Sequence, residues 1–219
     1  MRSFRLTWPR SLSPTSTRSA ASIRPSSAST RSGDSCRDPF FTVRRAVFLD
    51  RDGVLNPLER RDGRGRAPVS LEAFQLYPWA GSAVQRLRAA GCVCVVVTNQ
   101  PEIATGELEP AVLEVMHERL RRETGVDAIY VCPHRDEDQC VCRKPKPGLL
   151  LRAARELNLD LAASFLVGDR WRDIGAGEAA GCITVLVAGS DEPGGRPRHR
   201  ANDLRDATDL IIEAVQGRV

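Results

Sequence analysis

The sequence contains no apolar run approaching the roughly 18 residues that a membrane-spanning helix requires, which removes a bilayer span from consideration. It also lacks the apolar core of a secretory signal peptide. Cysteine is not scarce, but its number is odd: seven, at positions 36, 92, 94, 132, 140, 142 and 182. Without secretory features, that count argues for reduced thiols and a cytoplasmic location, not for a disulfide framework. Aromatic residues make up only 5% of the chain, and the arginine-dense first segment offers no folded platform for stacking, so a nucleic-acid surface is not expected. The formal net charge of +4 does not change that reading. Residues 1–42 hold seven arginines against Asp34 and Asp38, a local +5, so the remainder of the chain is near −1 (+4 less +5).

Residues 1–42 also contain eleven serines and little apolar periodicity, and they read as a disordered Arg/Ser-rich extension. An acid-poor segment of this kind resembles an organelle transit peptide. Its weak helical amphipathicity favours a non-functional extension instead. Residues 43–219, in a chain that is 42% hydrophobic and 27% charged, suffice for one domain with a sizeable core, expected to act as a monomer.

From Arg45 onward, apolar strands alternate with helical patterns. RAVFLD (45–50), CVCVVVT (92–98), AIYVC (128–132), SFLVGD (164–169) and ITVLV (183–187) read as strands. Helical patterns occupy 79–91, closed by Gly91, the stretch after Glu109 with Val112, Val115, Met116 and Leu120 on one face, the segment opened by Pro147, then 172–180 and 206–215. This alternation predicts an α/β fold: a doubly wound, Rossmann-like parallel sheet covered on both faces. Ligands of such sheets bind beyond the carboxyl ends of the strands, and Asp50, Thr98 and Asp169 each end one. The long segment 57–77, with ERRDGRGR at its centre, reads either as a substrate-facing loop or as a solvated turn, and 189–200 reads as a connection.

Two aspartates follow the first strand in VFLDRDGVLN. Carboxylates this close repel each other unless a cation or a chemical task offsets the repulsion. Asp50 and Asp52 could converge on one Mg²⁺, one through its side chain and the other through its backbone carbonyl, and VGDRWRD offers a third carboxylate in Asp169, with Asp173 within one helical turn of it. A carboxylate so placed can attack phosphorus, and the developing charge then needs donors and a cation. Thr98, Asn99 and nearby loop amides can donate, Lys144 in CRKPKPG supplies the cation, and Asp52 can protonate the leaving oxygen and then activate water.

DRDGVLN, VVVTNQ, RKPKPG and VGDRWRD, in this order, resemble the four motifs of the haloacid-dehalogenase-like phosphatases over most of residues 45–188. The resemblance implies Asp50 as nucleophile, Asp52 as general acid/base, Thr98 as phosphate ligand and Lys144 as charge stabiliser. It likewise implies Mg²⁺ held by Asp50, Asp52 and Asp169.

CPHRDEDQCVC offers Cys132, His134, Cys140 and Cys142, four nitrogen and sulfur ligands that describe a structural Zn²⁺ site clamping the loop that leads to Arg143 and Lys144. Cys92, Cys94 and Cys182 read as packing residues. A zinc loop before RKP resembles the capless branch containing D-glycero-D-manno-heptose 1,7-bisphosphate 7-phosphatases and histidinol-phosphate phosphatases. In the heptose enzymes Arg143 and Lys144 would contact the substrate, a small phosphorylated sugar, and the segment near Leu58–Arg61 would recognise it. The short zinc loop is similar to that of the histidinol branch, and TNQPEIATG departs from the usual TNQSG. RKPKPGLLLRAARELNLDLAASFLVGDRWRDI and the lack of a dehydratase half weigh toward heptose, with the α-anomer favoured. The non-enzyme alternative is an inactive zinc-stabilised binding module.

Overall fold

The computed structural model describes residues 44–61, 63–187 and 196–217; the expected extension over 1–42 lies outside them. In chain order the elements are β1 (Arg44–Leu49), β2 (Glu59–Arg61), β3 (Arg64–Arg66), α1 (Ala80–Ala89), β4 (Val93–Asn99), α2 (Glu102–Thr105), α3 (Pro110–Thr124), β5 (Ala128–Cys132), α4 (Gly148–Leu157), β6 (Leu159–Gly168), α5 (Trp171–Ala180), β7 (Ile183–Val187), β8 (His199–Ala201) and α6 (Leu204–Val215). Six strands form one sheet in the order β5-β4-β1-β6-β7-β8, and every neighbouring pair is parallel. The chain runs outward from β1 through β4 and β5, then returns to the other side of β1 for β6, β7 and β8. The turnover in direction beside β1 is where such a sheet opens a crevice at its carboxyl edge.

Burial on both faces explains why the central strands are continuous apolar runs and not alternating ones. Val47, Leu49, Cys94 and Val96 point into a core closed by Ala83, Val84 and Leu87 of α1, Met116 and Leu120 of α3, and Ala207 and Ile211 of α6. Ala46, Phe48, Val95 and Val97 point the other way, against Leu149, Leu150 and Ala153 of α4 and Ala176 of α5. Each fully buried side chain of this size contributes about 1.5–3 kcal/mol of transfer free energy. No helix among the described residues is long and apolar enough to cross a membrane.

Four local readings need correction. The segment 57–77 is no featureless loop: Glu59–Arg61 and Arg64–Arg66 pair as an antiparallel hairpin. Its sequence carries Asp-Gly between the strands, a two-residue hairpin signal, and Gly63 has φ of 73°. On α3 the buried face is Leu113, Met116, His117 and Leu120, while Val115 is exposed, so the apolar stripe lies off the expected line. The strand expected at 164–169 begins at Leu159, where its first residues pair with Arg44 and Arg45. Of the connection expected at 189–200, residues 189–195 lie outside the described residues, and His199–Ala201 adds an edge strand beside β7.

Candidate active site

The crevice beyond β1, β4 and β6 collects the charged residues of all four motifs. Asp50 follows β1 directly and its backbone N–H donates to the Val167 carbonyl at 2.9 Å, which locks the residue against β6. Asp169 follows β6, and Asp173 sits in the first turn of α5, where its carboxylate accepts from the Arg170 backbone N–H at 3.1 Å. Ligand atoms of Asp50, Asp169 and Asp173 lie within 4.8 Å of one another, and all three residues are buried. Gly53, at φ of 92°, makes this approach possible, because a Cβ there would collide with the Asp169 carboxylate.

Lys144 enters from the loop before α4 and is also buried. Its Nζ donates to Asp50 Oδ1 at 2.7 Å and to the Val97 carbonyl at 2.8 Å, and pairs with Asp173 Oδ1 at 2.5 Å. Burial opposes its charge, but Asp173 and Asp50 hold it above the ordinary lysine range. One lysine does not balance three carboxylates. Burial pushes Asp50 up to about 7 against the pull of Lys144, with Asp173 and Asp52 adding to the rise. Burial and then the charges of Asp50 and Asp173 push Asp169 up to about 8. Asp169 Oδ1 has no hydrogen-bond partner. An orphaned, buried carboxylate oxygen within a surplus of negative charge suits a hard divalent cation with oxygen ligands, so the residues fit Mg²⁺.

A cavity of about 310 Å³ opens above this floor. Asp50, Asp52, Asn99, Lys144 and Asp173 line its depth, while Arg64, Arg66, Arg143, Arg170 and Arg172 crowd its wall and rim with Glu102 among them. Of the segment expected near Leu58–Arg61, Leu58 alone lines the cavity. Arg61 instead reaches the Ala67 carbonyl at 2.7 Å and Glu107 at 3.3 Å, fastening the hairpin. Thr98 and Asp169 do not line the cavity; the Thr98 hydroxyl accepts from Gln100 Nε2 at 3.1 Å. The Asn99 amide exchanges hydrogen bonds with the Lys144 backbone, at 3.1 and 3.2 Å, and so ties the end of β4 to the lysine loop.

Asp52 is held from behind. The Arg51 guanidinium meets both of its oxygens at 3.0–3.2 Å, Asn56 Nδ2 donates to Oδ1 at 2.9 Å, and Gln100 Nε2 donates to Oδ2 at 2.7 Å. Arg51 has no exposed surface and also approaches His117 Nε2 at 3.3 Å. Burial, then the neighbouring Arg51 charge, pushes His117 down to about 3. An arginine offers only donors, so Nε2 of a neutral His117 is the acceptor.

The second cluster stands in the loop after β5. Sulfur atoms of Cys132, Cys140 and Cys142 lie 3.3–3.6 Å apart, and His134 Nδ1 is 3.3 Å from Cys142 and 3.6 Å from Cys132. Zn–S bonds of about 2.3 Å in a tetrahedron require sulfur separations close to these, so the four residues fit a structural zinc ion with no open position. The loop also carries Asp136, whose carboxylate takes Arg143 at 2.8 Å and Arg172 at 2.7 and 3.1 Å. Cys92, Cys94 and Cys182 are buried in the cores as expected, and burial pushes the latter two up to about 12, beyond thiolate chemistry.

Asp50, Asp52, Asn99, Arg143, Lys144, Asp169 and Asp173 gather around the cavity floor and Cys132, His134, Cys140 and Cys142 in the second cluster, whereas Thr98 and most of the Leu58–Arg61 segment stand outside the cavity lining. Sequence reasoning did not find Arg51, Gln100, His117, Asp136, Glu102 or Arg172. Arg64 and Arg66 had a signal, the arginine-dense segment, but not one that placed them.

A carboxylate floor, a buried lysine and donors at the ends of β1, β4 and β6 define a phosphoryl-transfer site of the haloacid-dehalogenase type. Residues 141–213 match the HAD-hydrolase-like family model. The D-glycero-beta-D-manno-heptose-1,7-bisphosphate 7-phosphatase of Pseudomonas aeruginosa is 42% identical over 149 residues, covering 66% of this chain and 81% of that protein. Its namesake from Bordetella bronchiseptica is 38% identical over 148 residues, covering 65% and 80%. The crystal structure of the D,D-heptose 1,7-bisphosphate phosphatase from B. bronchiseptica, complexed with magnesium and phosphate, superposes with a TM-score of 0.69 at 31% identity, over 78% of this chain and 99% of that one. The chain belongs to the haloacid-dehalogenase-like phosphatases, in the family of the heptose 1,7-bisphosphate 7-phosphatases.

Proposed function

We propose that residues 43–219 form a cytoplasmic, monomeric, Mg²⁺-dependent phosphatase that removes the 7-phosphate of D-glycero-D-manno-heptose 1,7-bisphosphate and leaves the anomeric phosphate in place. The observation that carries this reading is the contrast within the cavity: a carboxylate and lysine floor for one phosphate, and five arginines around the wall and rim for a second. Such a rim favours a bisphosphate over histidinol phosphate, whose far end is cationic. The α-anomer expected from sequence finds no support among the relatives, whose names specify β, and we adopt the β-anomer.

In this reading the Asp50 carboxylate attacks phosphorus as the bond to the sugar O7 breaks, giving an aspartyl-phosphate. Asp52 donates a proton to the departing oxygen. Water then attacks the same phosphorus, Asp52 takes its proton, and the Asp50–phosphorus bond breaks to release phosphate. Asp50, the Asp52 carbonyl and Asp169, with Asp173 in support, would hold Mg²⁺, which when bound would supply electrostatic stabilisation of the phosphoryl oxygens. Lys144 holds the Asp50 carboxylate in place and offsets charge, Asn99 and Arg143 serve as phosphate and substrate ligands from the cavity lining, and Thr98, expected as a phosphate ligand, lies behind that lining and receives Gln100.

The test is phosphate release from the β- and α-bisphosphates and from histidinol phosphate, compared by kcat/KM with Mg²⁺ present. The expected order is β above α, with histidinol phosphate last. A preference for histidinol phosphate would refute the substrate assignment while leaving the chemistry standing.

A further inference from the structure

We propose that Arg51, braced by His117 and coupled to Gln100, is a positioning residue that fixes the Asp52 carboxylate for proton transfer to the leaving oxygen; this rests on the acid/base reading of Asp52. The geometry is specific. An arginine following a strand-ending aspartate would ordinarily reach for solvent, yet this one has zero exposure and its guanidinium lies 5.3 Å from the Phe74 ring centre. Its Nε and Nη2 fork the neighbouring carboxylate, Nη2 also donates to Gln100 Oε1 at 2.9 Å, and Nη1 is turned to His117 Nε2. Gln100 closes the circuit by donating from Nε2 to Asp52 Oδ2 and to the Thr98 hydroxyl.

Each partner fixes a degree of freedom of the next. A fork onto a carboxylate sets the plane of both groups. His117 is the acceptor that holds the planar guanidinium against rotation about its Cδ–Nε bond, and it does so from α3, 66 residues away in the chain. Arg51 Nε and Nη2 and Asn56 serve Oδ1, whereas Oδ2 receives Gln100 and a longer 3.2 Å contact from Arg51 Nε. Asp52 lines the cavity, and because the single Arg51 Nε–H is split between both oxygens, the second lone pair of Oδ2 is only partly engaged and keeps capacity for the transferred proton. Holding an acid within a few tenths of an ångström matters to rate more than to binding, because a displacement near 1 Å can lower turnover about 100-fold.

A positioned acid matters in proportion to how poor the leaving group is. The measurement is kcat and KM of the full, Mg²⁺- and Zn²⁺-loaded protein on p-nitrophenyl phosphate, whose leaving group needs no proton, and on a sugar 7-phosphate, whose alkoxide does. His117→Leu is expected to lower kcat about 10-fold on the sugar ester, with KM and the p-nitrophenyl rate changed less than about twofold, and His117→Gln, which restores an acceptor oxygen, is expected to recover most of the loss. Arg51→Lys should give the same selective pattern and serves as the second variant if His117→Leu does not fold. Asp52→Asn separates the two levels. Equal loss by Asp52→Asn on both substrates in kcat/KM, which reports only the steps through departure of the leaving group, would refute the acid role itself. A leaving-group-selective loss in Asp52→Asn, accompanied by flat losses, no loss or a gain of kcat in the His117 and Arg51 variants, would overturn the positioning role and leave that reading intact.

Discussion

The carboxylate cluster and the cysteine–histidine cluster each gather groups that suit a bound cation, yet they rest on different foundations. Asp50 and Asp169 are set by the ends of two adjacent strands, β1 and β6, whose register is enforced by the whole sheet. Cys132 ends β5, but His134, Cys140 and Cys142 stand in a loop with no regular structure. The first cluster is a place for chemistry that the fold maintains by itself. The second is a local substitute for a core, a metal holding a loop that lacks enough apolar surface to hold itself. Asp136 links the two, since it stands in the zinc loop and grips Arg143 and Arg172 at the rim of the cavity.

The sharpest way to break this comparison is to disable each side in turn. Asp50→Asn should lower kcat by roughly 10⁴-fold or more, while the melting temperature and zinc content stay near those of the parent. Substantial Mg²⁺-dependent turnover by that variant would remove Asp50 from its assigned role. Cys140→Ser should lose zinc, expose residues 133–147 to proteolysis and lower kcat/KM about 100-fold through misplacement of Arg143 and Lys144, with the sheet still folded. Zinc retention at one equivalent, or a protease-resistant loop without zinc, would show that the loop does not depend on the metal.

The smallest effect distinguishes the clusters by proton competition. Asp50 and Asp169 stand at about 7 and about 8, above the ordinary carboxylate value of 3.8. The unfolded chain therefore releases these protons first as pH rises, so the favourable contribution to stability is complete at acid pH and is lost between about pH 4 and pH 8. Mg²⁺ must displace the same protons. With zinc retained throughout, the melting temperature without Mg²⁺ should be lower at pH 8 than at pH 6, and the rise on adding Mg²⁺ should be larger at pH 8, a difference of roughly 2–4 °C per kcal/mol. An equal Mg²⁺ shift at both pH values would mean that the carboxylates bind the ion already ionised.

Much of the scaffold was legible because strands and helices announce themselves locally. AIYVC and ITVLV match β5 and β7 at both ends, and Pro147 stands at the cap of α4. The β2–β3 hairpin was missed because charged residues replace the apolar alternation that marks a strand, leaving only Asp-Gly as a cue. Val115 was misplaced because a helical stripe read from sequence does not reveal which neighbouring helices close over it. Asn99 was chosen from its motif, which does not show that its amide also exchanges hydrogen bonds with the Lys144 backbone, a contact 45 residues distant in the chain.

Sequence by itself determined the parallel α/β order, the carboxylates at the strand ends and the four zinc-competent side chains. Each depends on periodicity, punctuation or spacing within a few residues. Only the tertiary structure decided that Arg51 folds back to bind Asp52, that His117 and Gln100 hold it there, and that Asp136 collects Arg143 and Arg172. Most of these contacts cross between elements, with separations such as 66 residues for Arg51 to His117 and 36 for Asp136 to Arg172. The physical reason is common to all: the direction of a long charged side chain is set by whichever acceptor the packing brings within hydrogen-bond reach, and no local pattern encodes which one that will be.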